Sequence, residues 1–160
     1  SPFGRSLVVM RHEQEYEALI AAAKRYAADP SIGVAFVHLN VPHMPYLDKP
    51  GIGHLLHSGP NDDLYVDELR WVDNAVAEIL SALDQSGLDS RTAVILSSDH
   101  PARLVSKLTP YVPFIVHLPG YNAGLPSYRE FSALRSADLV LAVAKGEVRS
   151  PLDVENFMIK

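Results

Sequence analysis

Three short apolar segments, each bounded by turn-forming or polar residues, recur along the chain and alternate with helical patterns. They are Gly33–Asn40, Thr92–Ser98 and Val112–Leu118. Each is rich in β-branched or aromatic residues and has the length of a buried strand. Because such apolar strands are typical of sheets that are covered on both faces, the segments predict an α/β fold with a mostly parallel sheet flanked by helices.

The longest helical pattern lies between the first two apolar segments. From Asn61 to Gly87, apolar residues recur three and four positions apart, at Leu69, Val72, Val76, Ile79 and Leu83. This spacing places them on one face of a helix, with Asn61 as the expected N-cap and Gly87 as the residue that ends it. A helix of this length suits a crossover connection, so we expect the strands before Asn40 and Asp99 to be parallel and to end at the same edge of the sheet.

Three further helices are predicted from periodicity and from the residues at their ends. Arg11–Asp29 has apolar residues at helical spacing and is followed by a proline. Ser136–Lys145 is apolar throughout its centre and is followed by Gly146, a residue typical of helix ends. The last helix follows Ser150 as N-cap, with a proline in its first position.

Composition limits the classes of function. With 160 residues, 48% of them hydrophobic, the chain can bury one core, which predicts a single domain over residues 1–160. The net charge of −5 and the scattered basic residues argue against a nucleic-acid partner. No apolar run, Leu139–Ala144 included, is longer than six residues, so no membrane span is expected in this chain. The absence of cysteine excludes disulfides, thiolate metal sites and cysteine nucleophiles.

Asp99 and His100 form the most informative local pattern, because they follow directly on the second apolar segment. Where a strand ends, a carboxylate and an imidazole that are adjacent in sequence can reach the same divalent ion, and these are suitable ligands for one. The alternative from the residues alone is a turn in which Asp99 accepts backbone N–H groups and His100 lies in solvent.

A second pattern places His43 between Pro42 and Pro45, shortly after the first apolar segment. The prolines stiffen the backbone on both sides, so the imidazole is well placed to bind an anionic oxygen or to act as a general acid. Arg103 follows His100 closely, and its guanidinium can attract a phosphate or sulfate group. A proline-rich turn and a solvated charge are the corresponding structural alternatives.

Taken together, these segments resemble the C-terminal half of the sulfatase-like branch of the alkaline phosphatase superfamily. The resemblance extends over residues 34–120, and its ordered parts are Val41–Tyr46, Tyr65–Leu80, Ser98–His100 and Val112–Gly120. It implies a partial alkaline-phosphatase-like fold and a metal-dependent enzyme that hydrolyses or transfers phosphate or sulfate esters. By position, Asp99 and His100 would bind the metal, and His43 would hold the substrate anion or assist the leaving group.

The resemblance also implies what the chain lacks. The family places a metal-binding strand and a nucleophile before this region, and no residue here matches that nucleophile. Pro101 replaces the glycine that usually follows the Asp-His pair. We therefore expect a C-terminal fragment of a sulfatase-like domain that binds a divalent metal weakly and is inactive alone. We also expect an uncovered apolar surface that promotes a homo-oligomer.

Two functional hypotheses follow from these residues. In the first, the chain belongs to an ester hydrolase or phosphotransferase with zinc or manganese rather than calcium, since histidine pairs with the aspartate. Transferases of phosphoethanolamine or phosphoglycerol groups resemble it, which implies the periplasmic or extracytoplasmic side of a membrane-anchored parent. In the second, the chain is a degenerate, non-catalytic α/β domain that binds a ligand or partner.

Overall fold

Two long helices form the first layer of the molecule. The structure, a computed structural model, describes residues 2–43, 62–101, 111–121 and 130–159. Helix α1 covers Pro2–Ala27 and helix α2 covers Asp62–Gln85. Helix α1 therefore begins earlier than the apolar periodicity predicted, because its first turns carry no clear apolar stripe. In the described part of the chain, no helix combines the length and the apolar character needed to cross a bilayer.

Helices α1 and α2 enclose a hydrophobic cluster that we call the helical core. Its buried residues are Tyr16, Ile20, Val41 and Ala75, with Leu39, Trp71 and Val72 packed against them. The Tyr16 hydroxyl donates a hydrogen bond to the Trp71 carbonyl over 2.6 Å, and the two rings meet edge to face at 5.9 Å. Because Val41 is only 4% exposed, the helical core also anchors the chain immediately before His43.

Gly87 terminates α2, as the sequence predicts. The Leu88 N–H donates to the Leu83 carbonyl over 3.2 Å, and the Gly87 N–H donates to the Asp84 carbonyl over 2.9 Å. This pattern requires a left-handed residue, and Gly87 has a φ of 71°. The expected N-cap, Asn61, lies outside the described residues.

A two-stranded sheet follows, formed by β1 (Val94–Ser97) and β2 (Phe114–His117). Both strands fall within predicted segments, and with the flanking helices they agree with the α/β class. The pair is antiparallel, with Val94 opposite His117 and Ser97 opposite Phe114. The mostly parallel sheet is therefore not confirmed by the strands that the structure describes.

The segment Gly33–Asn40 is not a strand, which corrects the prediction made from its apolar residues. A strand forms only where its backbone N–H and C=O groups meet those of a neighbour, and β1 and β2 pair with each other. The Phe36 side chain is 90% exposed. The apolar Phe36 side chain is therefore not covered by any of the described residues.

Helices α3 (Ser136–Ala144) and α4 (Pro151–Ile159) pack with the sheet around a second cluster, the sheet core. Its buried residues are Leu118, Leu139, Ala142, Val148 and Val154. Gly146 ends α3 with a φ of 71°, as the sequence predicts. Ser150 begins α4 as predicted, because its hydroxyl accepts the Asp153 N–H over 3.2 Å while the Asp153 carboxylate accepts the Ser150 N–H over 2.9 Å.

Candidate functional site

The structure brings His43 and His100 together, although they belong to distant parts of the sequence. Their ring centroids are 6.4 Å apart, and the ring planes meet at 73°. His43 follows Val41 of the helical core after a cis peptide bond between Val41 and Pro42. His100 follows β1, which contributes Ile95 to the sheet core. The two predicted patterns therefore lie side by side, one on the chain that leaves the helical core and the other in the turn after β1.

The turn after β1 presents Asp99 and His100 on the surface. The Ser98 hydroxyl donates to the His100 carbonyl over 2.9 Å and closes this turn. The side chains of Asp99 and His100 are 68% and 56% exposed. This exposure agrees with the alternative of a turn in which His100 lies in solvent, but His100 also lies against the His43 ring.

The separation of this pair is close to that of two ligands on one divalent cation. The His100 Nδ1 lies 3.0 Å from the Pro101 carbonyl, and since a carbonyl can only accept, Nδ1 carries the proton. The Nε2 lone pair is then free, and it lies 3.8 Å from the Asp99 Oδ2. Two ligands of a tetrahedral zinc ion are separated by about 3.4 Å, which is close to this distance. The same orientation, with Nδ1–H bound to a carbonyl, is usual for metal-binding histidines.

The pair supplies two ligands, whereas a catalytic zinc site usually has three from the protein. Within residues 2–43, 62–101, 111–121 and 130–159, no group of three or more His, Cys, Asp or Glu side chains could hold a metal ion. Asp99 and His100 thus fit part of a metal site. The remaining ligands would have to come from elsewhere.

Two residues that the sequence analysis did not single out lie beside His43. His12 projects from α1. The Asn40 side-chain amide donates a hydrogen bond to the backbone carbonyl of His12 over 3.3 Å and contacts the His12 Nδ1 at 3.1 Å. The pKa of His12 is lowered, mainly because burial disfavours the charged ring, and the nearby His43 lowers it further. Glu15 and the backbone of His43 and Asn40 oppose this change. The available signal was positional, because His12 lies one turn before Tyr16 on the same face of the helix.

Arg103, the predicted anion-binding residue, lies outside the described residues. The same holds for residues 44–61, which follow His43 and include Pro45. The site is therefore described by His12, Asn40, His43, Asp99 and His100.

The family model for Type I phosphodiesterase / nucleotide pyrophosphatase matches residues 9–145, a range that includes all five of these residues. The Endo-4-O-sulfatase of Bacteroides thetaiotaomicron is 34% identical to this chain over an aligned length of 119, and the match covers 52% of this chain and 23% of that protein. The chain therefore spans less than a quarter of the length of this relative. No solved structure is significantly similar to this chain.

These matches confirm the resemblance that the ordered motifs indicated. The family match extends over more than half of the chain, and the sulfatase provides a second, independent link to the same superfamily. The chain belongs to the Type I phosphodiesterase / nucleotide pyrophosphatase family, in the sulfatase-like branch of the alkaline phosphatase superfamily.

Proposed function

We propose that this chain contributes part of the active site of a metal-dependent enzyme that cleaves phosphate or sulfate esters. In this site Asp99 and His100 bind the metal and His43 binds the anionic ester group. The observation that carries the proposal is the approach of the His43 and His100 rings to 6.4 Å from separate hydrophobic cores. Family membership supports the same chemistry.

The metal preference follows from the donor atoms. An imidazole nitrogen beside a carboxylate suits zinc or manganese better than calcium, which prefers oxygen ligands. When bound, such an ion neutralises negative charge on the group that is transferred. Asp99 and His100 would hold it through Oδ2 and Nε2, the two atoms that already face each other. With only two ligands, we expect this chain by itself to bind the ion weakly and to be catalytically inactive.

His43 is suited to the substrate because it is exposed and lies beside the proposed metal ligands rather than among them. An imidazole N–H donates a hydrogen bond to an ester oxygen, and a protonated imidazole can give its proton to the departing oxygen. Arg103 is assigned to the same anion on its residue type and on its position after His100. No residue of this chain is assigned as the nucleophile.

Two features point to different esters. The pairing of Asp99 with histidine favours phosphate-ester chemistry, and with it transfer of phosphoethanolamine or phosphoglycerol groups on the extracytoplasmic side of a membrane-anchored parent. The Bacteroides relative is named for removing a 4-O-sulfate, which favours a sulfate ester. Both features support cleavage of a phosphate or sulfate ester, by hydrolysis or by transfer.

The test is the activity of the full-length protein on p-nitrophenyl phosphate, bis-p-nitrophenyl phosphate and p-nitrophenyl sulfate, each with added zinc, manganese or calcium. We expect Asp99→Asn to lower kcat/KM by more than roughly 100-fold, because it removes an anionic ligand. Asp89→Asn, in the exposed turn before β1, is the matched control and should leave kcat/KM unchanged. Equal kcat/KM of the two variants would contradict the role of Asp99, and no turnover of any of the three esters by the wild-type protein would favour the non-catalytic binding domain.

A further inference from the structure

The turn that carries His43 is tied to α1 by a side-chain contact rather than by the helical core alone. Asn40 lies three residues before His43, and its amide nitrogen lies 3.3 Å from the His12 carbonyl and 3.1 Å from the His12 Nδ1. The backbone of His43 and that of Asn40 both face the His12 ring. His12 thus contacts the chain on both sides of Val41.

This geometry fixes which nitrogen of His12 carries the proton. The His12 carbonyl is an acceptor only, so the Asn40 atom beside it must be the NH₂ group. The same NH₂ group then donates to Nδ1, which must be the unprotonated ring nitrogen. A neutral His12 therefore carries its proton on Nε2.

The contact between His12 and Asn40 leaves buried polar atoms unpaired, which stability alone would not favour. The His12 Nε2 and the Asn40 Oδ1 are both buried, and neither has a hydrogen-bond partner among the residues that the structure describes. Buried polar groups are almost always paired, and exceptions occur where a local arrangement serves a site. This exception involves Asn40, three residues before His43.

We propose that His12 is a positioning residue for His43. By accepting the Asn40 amide at Nδ1, it fixes the turn of residues 40–43 against α1 and directs the His43 ring toward His100. The inference rests on the proposed role of His43 in anion binding. It concerns a residue that contacts the turn and not the ester, and it requires no bound metal.

Two substitutions of His12 separate its ring nitrogens. The side-chain oxygen of His12→Asn can replace Nδ1 as the acceptor for Asn40, whereas the amide of His12→Gln replaces the Nε2–H donor. His38→Asn is the matched control, because His38 lies in the same connecting segment with an exposed side chain. The readouts on the 160-residue chain are the nitrogen chemical shifts of His12, the ring-to-ring nuclear Overhauser effect between His43 and His100, and the dissociation constants of sulfate and inorganic phosphate.

We expect the wild-type shifts to report protonation at Nε2, and we expect the ring-to-ring effect to persist in His12→Asn and His38→Asn. In His12→Gln this effect should disappear and anion binding should weaken about tenfold, the equivalent of one lost hydrogen bond. A proton on Nδ1, or a ring-to-ring effect that survives in His12→Gln, would overturn the inference.

Asn40→Asp provides a second variant should His12→Gln fail to fold. An ionised aspartate cannot donate, so the proton of His12 should move to Nδ1, and an unchanged protonation site would overturn the inference. If the wild-type chain shows the Nε2 proton and the ring-to-ring effect but binds neither anion, the positioning role stands. The proposed function of His43 then fails.

Discussion

Replacing Tyr16 tests the helical core on which the position of His43 depends. Tyr16 is 3% exposed, and its hydroxyl donates to the Trp71 carbonyl over 2.6 Å. Tyr16→Phe removes this hydrogen bond and keeps the ring, so we expect a loss of about 1 kcal/mol in the free energy of unfolding. Tyr16→Ala also removes the ring from a packed cluster, and we expect a loss of about 3–5 kcal/mol.

The assay is urea unfolding followed by tryptophan fluorescence, because Trp71 is the single tryptophan of the chain and packs against Tyr16. The fluorescence therefore reports on the helical core itself. For a chain of this size, Tyr16→Phe should lower the melting temperature by about 2–4 °C. If both variants lose the same free energy, the hydroxyl rather than ring packing dominates, and the reasoning is refuted.

Alkaline pH should act on the same residue. Burial, with smaller effects of Glu78 and Glu68, raises the pKa of Tyr16 to about 12 from 10.0. The folded state then holds the phenol proton more tightly than the unfolded state, so this contribution to stability is complete below pH 10 and is lost as pH rises toward 12. Tyr16→Phe should show a smaller decrease in stability over this range. An identical decrease would show that other groups cause it.

Three further predictions concern other parts of the fold. Leu139→Ala should cost about 2–5 kcal/mol in the free energy of unfolding measured in urea, since Leu139 is 0% exposed in the sheet core, whereas Ile115→Ala at an exposed position of β2 should cost much less. Hydrogen bonds from Arg149 and Ser150 lower the pKa of Asp153 below 3.8. Thermal scans should therefore show that stability is lost as pH falls through that lowered value, and the loss should be smaller in Asp153→Asn. The exposed Phe36 should promote self-association, so Phe36→Ser should lower the mass measured by light scattering at high micromolar concentration, and an unchanged monomer in both would contradict this.

Periodicity and end signals were sufficient for the elements that complete their own hydrogen bonds. Helices α2, α3 and α4 were predicted close to their observed bounds, because an amphipathic stripe, a capping serine or a left-handed glycine is encoded within a few neighbouring residues. The prediction of a strand over Gly33–Asn40 was wrong, because a strand also depends on a neighbouring strand. Apolar composition does not specify that neighbour.

The candidate site was predictable in part. The sequence indicated that His43 would lie near the Asp99–His100 pair, on the argument that parallel strands end at one edge. The structure brings the rings together, while the strand before Asn40 is absent and the sheet pair is antiparallel. Helical spacing places His12 on the same face as Tyr16, but its contact with Asn40 could not be predicted, because this contact joins a helix to a connecting segment that has no repeat.

The division of the interior into a helical core and a sheet core has a consequence for how such a site responds to mutation and to ligands. His43 follows Val41 of the helical core and His100 follows β1 of the sheet core, so a substitution that displaces one core relative to the other changes the distance between the rings while both cores stay folded. Affinity and stability can therefore vary independently at this place. Conversely, a metal on Asp99 and His100 together with an anion on His43 would favour the arrangement in which the cores are correctly spaced, and their binding would stabilise both cores against unfolding.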